Sequence, residues 1–262
     1  MLSPTEIQSF RRDGYLLLDR PILSARSFAG LKARFEARLA QLPAGDRPEA
    51  MDVPHFDDTA LFEWLFSPEI LGIAESLLGP DLALFSSHFI CKPAGDGRRV
   101  PWHEDSAYWR GQLDPMEVVT VWIAIDPSTR ENGCLHVVPG SHRHADSEYQ
   151  PVADPGDSTF GDEIREAQEV EARAVPLELA PNEASVHDGR LVHGSPHNRS
   201  TRRRCGYTMR YISTRTRFDA ARHPWHQIYL ARGRDHAGNV YADPAVSYFD
   251  LLRERARVFK GH

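Results

Sequence analysis

The chain has 262 residues, 41% of them hydrophobic, enough to bury one full core. Its formal net charge of -6 argues against a nucleic-acid partner, and no apolar run approaches the roughly 20 residues of a membrane span. Three scattered cysteines, Cys91, Cys134 and Cys205, without a C-x-x-C, exclude a disulfide framework or zinc knuckle. With no basic-then-apolar leader at Met1 to Glu6, the expectation is a cytoplasmic protein carrying free thiols.

Along the chain, Pro4 and Thr5-Glu6 start a helix that Asp13-Gly14 stops, and Tyr15 to Leu18 reads as a strand. Phe28, Leu31, Phe35 and Leu39 recur at helical spacing over Ser27 to Leu42. Residues Pro43 to Thr59, rich in Pro, Asp and Gly, form a loop, and Leu61 to Leu78 is a further helix closed by Gly79-Pro80. The period then changes to two. Leu82 to Lys92, Val118 to Asp126, Leu135 to Val138, Ala184 to His187, Leu191 to His193 and Arg204 to Ile212 are strand candidates.

Ser141 to Val175 is a long polar, acidic insertion, expected to be a lid or partly disordered. The arginines from Arg199 to Arg217 alternate with Cys205, Tyr207, Met209 and Tyr211, as on a strand with one buried face. The pattern is mainly β (α+β), a jelly roll with N-terminal helices packed on its outer face. One domain is expected over 1–262: a helical layer to residue 80, a β-core over 81–212 and an extension over 213–262.

Trp102-His103-Glu104-Asp105 holds a His-x-Asp pair, and Leu191-Val192-His193-Gly194-Ser195 holds a distant histidine. Residues at i and i+2 of an extended segment point to one side, so His103 and Asp105 can reach a single cation. A third ligand from His193 would complete two histidines and a carboxylate with open positions, the set that suits non-haem Fe(II).

The surrounding segments resemble the phytanoyl-CoA dioxygenase family of Fe(II)/2-oxoglutarate-dependent oxygenases. The resemblance runs through Leu2 to Glu6 and Asp13-Gly14-Tyr15, then Trp102 to Asp105, Val119 to Ala124, Asn132 to His142 and Asp188 to Ser195. It ends in the arginine cluster at Arg204. It implies a double-stranded β-helix, cupin-like, with Fe(II) held by His103, Asp105 and His193. It also implies 2-oxoglutarate on Arg204, eleven residues past His193, with help from Ser195 and Trp122, and dioxygen as oxidant. Arg supplies the planar, permanently charged fork that a buried carboxylate needs.

If Arg204 points inward then so does Gly206, leaving room beside the cosubstrate. Arg203 then faces away, and Arg202 shares the parity but lies nearer the turn. The implied reaction is hydroxylation of a small-molecule metabolite through a ferryl oxidant, with succinate and CO2 released. Halogenating relatives carry Gly or Ala where this chain has Asp105, so oxygenation is expected.

Tyr108, Trp109 and Arg110 follow the ligand pair and point to a polar or anionic substrate with a ring or alkyl body. His88 and Lys92 are further substrate candidates. Arg210, six residues beyond Arg204, is expected to serve a solvent or salt-bridge role about 20 Å away at strand rise. His142, His144, His187, His197, His223 and His226 read as surface or loop residues.

Two alternatives stand beside this reading. One is a catalytically silent jelly-roll binding module. The other is a cupin-type enzyme using His142, His144 and Glu148, a His-x-His with a glutamate that lacks the upstream glycine because position 136 is His. Substrate identity and oligomeric state are not written in these motifs.

Overall fold

Ser3 accepts a hydrogen bond from the Glu6 backbone N–H, and the Glu6 carboxylate accepts one from the Ser3 N–H. This capping box opens the helix Pro4–Asp13, and Gly14, at φ 80°, ends it in the left-handed region that glycine tolerates. The second helix, Ala25–Ala40, buries Leu31 and Phe35. The expected helix over Leu61 to Leu78 is split in two, Phe62–Leu65 and Pro68–Leu78. Pro68 has no N–H to donate and disfavours helical geometry at Ser67, whose side chain instead caps the new helix through the Ile70 N–H.

In this computed structural model, residues 1–144 and 147–252 are described. Two antiparallel sheets face each other. The larger runs in the order Tyr15–Leu18, Ala184–Asp188, Val118–Ala124, Arg204–Ser213, Leu82–Lys92, Tyr229–Arg232, with Met51–Asp52 also pairing to Leu82–Lys92. The smaller runs Val175–Leu177, Leu135–Val137, His193–Ser195, Val100–His103. The fold is the mainly β jelly roll that the period-two pattern implied.

The central strand Arg204–Ser213 shows why the layers form. Its outward residues Cys205, Tyr207, Met209 and Tyr211 are fully buried with Leu31, Phe35, Ile70 and Leu71 of the helices in one cluster. Tyr207 stacks on Phe89 at 4.1 Å between centroids. Burying each large side chain stabilises the fold by about 1.5–3 kcal/mol, which holds the helical layer on this face. The alternate residues Arg204, Thr208 and Arg210 face the smaller sheet and line a cavity there. Period two thus separates a structural face from a chemical one.

Further expectations change among the strands and loops. The strand expected from Leu191 to His193 is His193–Ser195, because the Asp188 side chain accepts the Arg190 N–H and makes the preceding residues a turn. Val100–His103, Val175–Leu177 and Tyr229–Arg232 are strands with no alternating pattern to announce them. The loop over 43–59 contributes the strand Met51–Asp52. The described residues of the 141–175 insertion include a hairpin (Tyr149–Pro151 with Asp162–Ile164) and a helix (Ala167–Arg173). Among the described residues no helix is long and apolar enough to cross a membrane.

Candidate metal centre

Pairing of the strands Val100–His103 and His193–Ser195 sets His103 directly opposite His193, their ring centroids 4.1 Å apart. The extended segment ends at His103, and Asp105 opens a one-turn helix, Asp105–Tyr108, rather than continuing a strand as the i, i+2 argument assumed. The three residues still converge. One ligand atom from each of His103, Asp105 and His193 lies within 4.8 Å of the others, and this is the one such group among the described residues.

The two histidines are fixed in the same way. His103 Nδ1 donates to the Pro101 carbonyl and His193 Nδ1 to the Leu191 carbonyl, both at 2.8 Å. A carbonyl can only accept, so Nδ1 carries the proton and Nε2 is left with a lone pair facing the site. Burial, and then the neighbouring His103, hold His193 well below the usual histidine range, so it stays neutral. Burial pushes the Asp105 carboxyl up, but the positive charge of Arg210 foremost, with the neighbouring histidines, outweighs it and holds it well below the carboxylate range. Two imidazoles whose Nδ1 atoms are engaged by carbonyls and one ionised carboxylate form a donor set for a divalent cation, so these residues fit an iron(II) ion.

Arg204 sits deeper, 2% exposed, on the larger sheet. Its guanidinium donates to the Gly133 carbonyl from Nε (3.0 Å) and Nη2 (2.5 Å), and no carboxylate partners it among the described residues. Burial pushes it down to about 10. Lys92 lies opposite it in register and is likewise buried; burial first, then Arg204, holds the ammonium well below its ordinary value. A buried guanidinium without a counter-ion calls for an anion. Ser195 Oγ and Thr208 Oγ1 nearby are buried and unpartnered. Trp122 completes this corner, with the Arg204 guanidinium over its ring at 5.4 Å. Gly206 faces inward as expected, but the room that it leaves is taken by Trp122: a Cβ there would lie 1.9 Å from the indole.

The other arginines divide as parity requires. Arg203 faces away, paired with Glu36 and Asp126, while Arg202 is exposed beside Glu131. Arg210 makes a salt bridge, as expected, but with a candidate metal ligand rather than away from the site: Nε lies 3.2 Å from Asp105 Oδ2, and its guanidinium sits 5.4 Å from the Trp109 ring. Both arginines line one cavity, and the long Arg210 side chain reaches Asp105 although its Cα lies six residues along the strand from that of Arg204. His187 is also a site residue, buried, with both ring nitrogens unpartnered and Nε2 3.8 Å from Asp105 Oδ2. Its strand pairs it with inward-facing Thr120, a parity signal that the sequence did hold.

The candidate substrate residues scatter. Tyr108 is exposed at the mouth, its ring 5.7 Å from that of His103 and 5.4 Å from that of Phe160 from the insertion. Trp109 packs edge-on to Phe85 and supports Arg210. Arg110 is exposed. His88 lies in a neighbouring chamber, and Lys92 is pinned behind the site by bonds to the Ser195 and Pro196 carbonyls. His142 turns to the Arg11 carbonyl, Glu148 pairs with Arg165, and no metal group forms from His142, His144 and Glu148. His226, expected on the surface, is half-buried and bonds the Phe85 carbonyl.

The profile of the phytanoyl-CoA dioxygenase (PhyH) family matches residues 10–206. L-proline trans-4-hydroxylase of Streptomyces griseoviridis is 28% identical over 230 residues, 77% of this chain and 83% of its own length. Other curated relatives are spanned over only about half of their length. Among solved structures, the apo form of the non-heme monooxygenase ThoJ superposes with a TM-score of 0.75 at 25% identity, covering 96% of both chains. EvdO2 from Micromonospora carbonacea var. aurantiaca, solved in complex with 2-oxoglutarate, gives a TM-score of 0.65 at 27% identity over 81% of this chain and 91% of its own.

Proposed function

The chain belongs to the phytanoyl-CoA dioxygenase family of iron(II)- and 2-oxoglutarate-dependent oxygenases, and we propose that it hydroxylates a small-molecule metabolite at the His103, Asp105 and His193 centre. The observation that carries this reading is the pairing of that cluster with a buried arginine that has no counter-ion.

His103 and His193 would hold iron through Nε2 and Asp105 through its carboxylate. When bound, iron supplies the activation of dioxygen, coupled to decarboxylation of 2-oxoglutarate to succinate. The chain's own part is orientation and exclusion of water. Arg204 offers its fork to the distal carboxylate of the cosubstrate, as the charge of a buried guanidinium requires. Ser195 Oγ, buried without a partner, is available to the same group. Trp122 holds the guanidinium plane from the side. Lys92 Nζ ties the end of the His193 strand to the larger sheet by donating to the Ser195 and Pro196 carbonyls. Arg210 steadies the Asp105 carboxylate so that it presents an oxygen to the metal. Phe160, 5.2 Å from the His103 ring, covers one side of the mouth.

Asp105 also favours oxygenation over halogenation, because its carboxylate would take a place on the metal that a halide would need. The homologous proline hydroxylase supports small molecules as the substrate class. The reading is tested by incubating the protein with Fe(II), 2-oxoglutarate and a metabolite library, following succinate and products heavier by one oxygen. Iron-dependent succinate raised by a member of the library is expected. Succinate formation that is absent, or equal without iron, would overturn it.

A further inference from the structure

A second chamber of about 260 Å³ opens beside the metal centre and shares Ile90, Val100 and Phe160 with it. Its polar wall is Arg47, Glu49, Asp52, His88 and Arg98. Most of that charge is already matched. Arg47 donates to Glu49 at 3.1 and 2.7 Å and to Asp96 at 2.8 Å. His88 Nε2 donates to the Glu49 carbonyl at 2.9 Å, and Nδ1 lies 3.4 Å from Asp52.

Arg98 is the exception. Its backbone N–H is used by Glu49, and the guanidinium of this half-buried residue has no hydrogen bond or ion pair with any described residue, although its charge is felt by Asp96. An arginine fork at a chamber wall whose side-chain donors are unused by the protein can receive an anion through them. The size of the charge is limited by the surroundings. Glu49 and Asp52 line the same chamber and Asp96 stands beside it, so a dianion such as a phosphate monoester would meet repulsion that a monoanion largely avoids. The surface between Arg98 and the metal centre is apolar, made by Ile90, Val100 and Phe160, and suits an aliphatic or cyclic body.

We propose that Arg98 receives the carboxylate of the organic substrate, so that the enzyme acts on small monocarboxylates whose apolar middle crosses Ile90, Val100 and Phe160 to the metal centre. This rests on the hydroxylase reading and names its substrate class. Arg98 is a binding and specificity residue, separate from the Arg204 site.

The test uses the full chain loaded with Fe(II) and 2-oxoglutarate without oxygen, so that binding is read without turnover. Hexanoate, cyclohexanecarboxylate and L-proline are titrated against their primary amides, with cyclohexyl phosphate as the dianion, on wild type, Arg98→Gln and Arg98→Lys. At least one acid is expected to bind tenfold or more tightly than its amide. Arg98→Gln should erase that ratio, Arg98→Lys should keep part of it, and the affinity for 2-oxoglutarate should hold in both. Equal binding of acid and amide, a ratio that survives in Arg98→Gln, tighter binding of the phosphate, or no acid bound would each overturn the proposal. Failure of the wild type to bind 2-oxoglutarate with iron, read in the same titration, would instead bring down the hydroxylase reading.

Discussion

Gly206→Ala asks whether the close fit of Trp122 holds the cosubstrate corner together. The added Cβ would lie 1.9 Å from Trp122 Cζ2 and 2.1 Å from Cε2, where carbon contacts need about 3.5–4.0 Å. The indole must therefore retreat by roughly 1.5–2 Å, yet it is 3% exposed and packed against Ala124 and Leu179. The glycine backbone is not in the left-handed region, so side-chain space alone is changed. Overpacking of this kind costs about 1–3 kcal/mol of stability. Moving the indole also loosens its cation–π contact with Arg204, worth about 0.5–2 kcal/mol, so the Kd for 2-oxoglutarate should rise by about three- to thirtyfold. Denaturant unfolding and oxygen-free titration with 2-oxoglutarate measure the two effects. In Trp122→Phe the clashing benzo ring is gone, so the stability cost of Gly206→Ala should shrink on that background by about 1 kcal/mol or more. Unchanged affinity and stability in Gly206→Ala, or strictly additive costs in the double variant, would refute the reasoning.

Other expectations follow from single residues. Arg210→Ala should weaken Fe(II) binding by about 10–100-fold through loss of its hold on Asp105, with partial recovery in Arg210→Lys, as read by competition with a metal indicator. Arg204→Met should abolish 2-oxoglutarate binding while leaving the iron affinity near that of the wild type, because the arginine touches no metal ligand. His55 is buried against Phe56, Phe62 and Tyr229, and burial lowers it to about 3. Between about pH 6.5 and 3 the unfolded chain binds a proton that the folded one refuses, so this contribution is complete above pH 6.5 and falls as the pH falls. At pH 5 the loss is about 2 kcal/mol, and His55→Gln should flatten the fall in denaturation midpoint between pH 7.5 and 5.

Much of the site was legible because its chemistry is written in periods. His103, Asp105 and His193 stood out by residue type and surrounding motif, and the parity of Arg204 against Cys205 and Tyr207 separated the inner face from the core. The same rule failed where it was applied to distance. Arg210 was placed by strand rise alone, although a long guanidinium side chain can turn back along the sheet to Asp105. His187 was missed although it alternates with Val186 and pairs across from Thr120 on the inner face. The outer chamber was illegible for a different reason. Asp52 and Arg98 come from segments without hydrophobic period, and only the pairing of Met51–Asp52 with Leu82–Lys92 brings Asp52 beside His88. The break at Ser67-Pro68 was readable from local chemistry, whereas the strands Val100–His103 and Tyr229–Arg232 exist through partners distant in sequence.

The most direct measurement is the Fe(II) stoichiometry of the purified chain beside three variants, His103→Ala, His193→Ala and His142→Ala. One tightly held iron per chain is predicted for the wild type and His142→Ala, with loss in both other variants. Iron kept by His193→Ala but lost from His142→Ala would contradict the assignment of the centre.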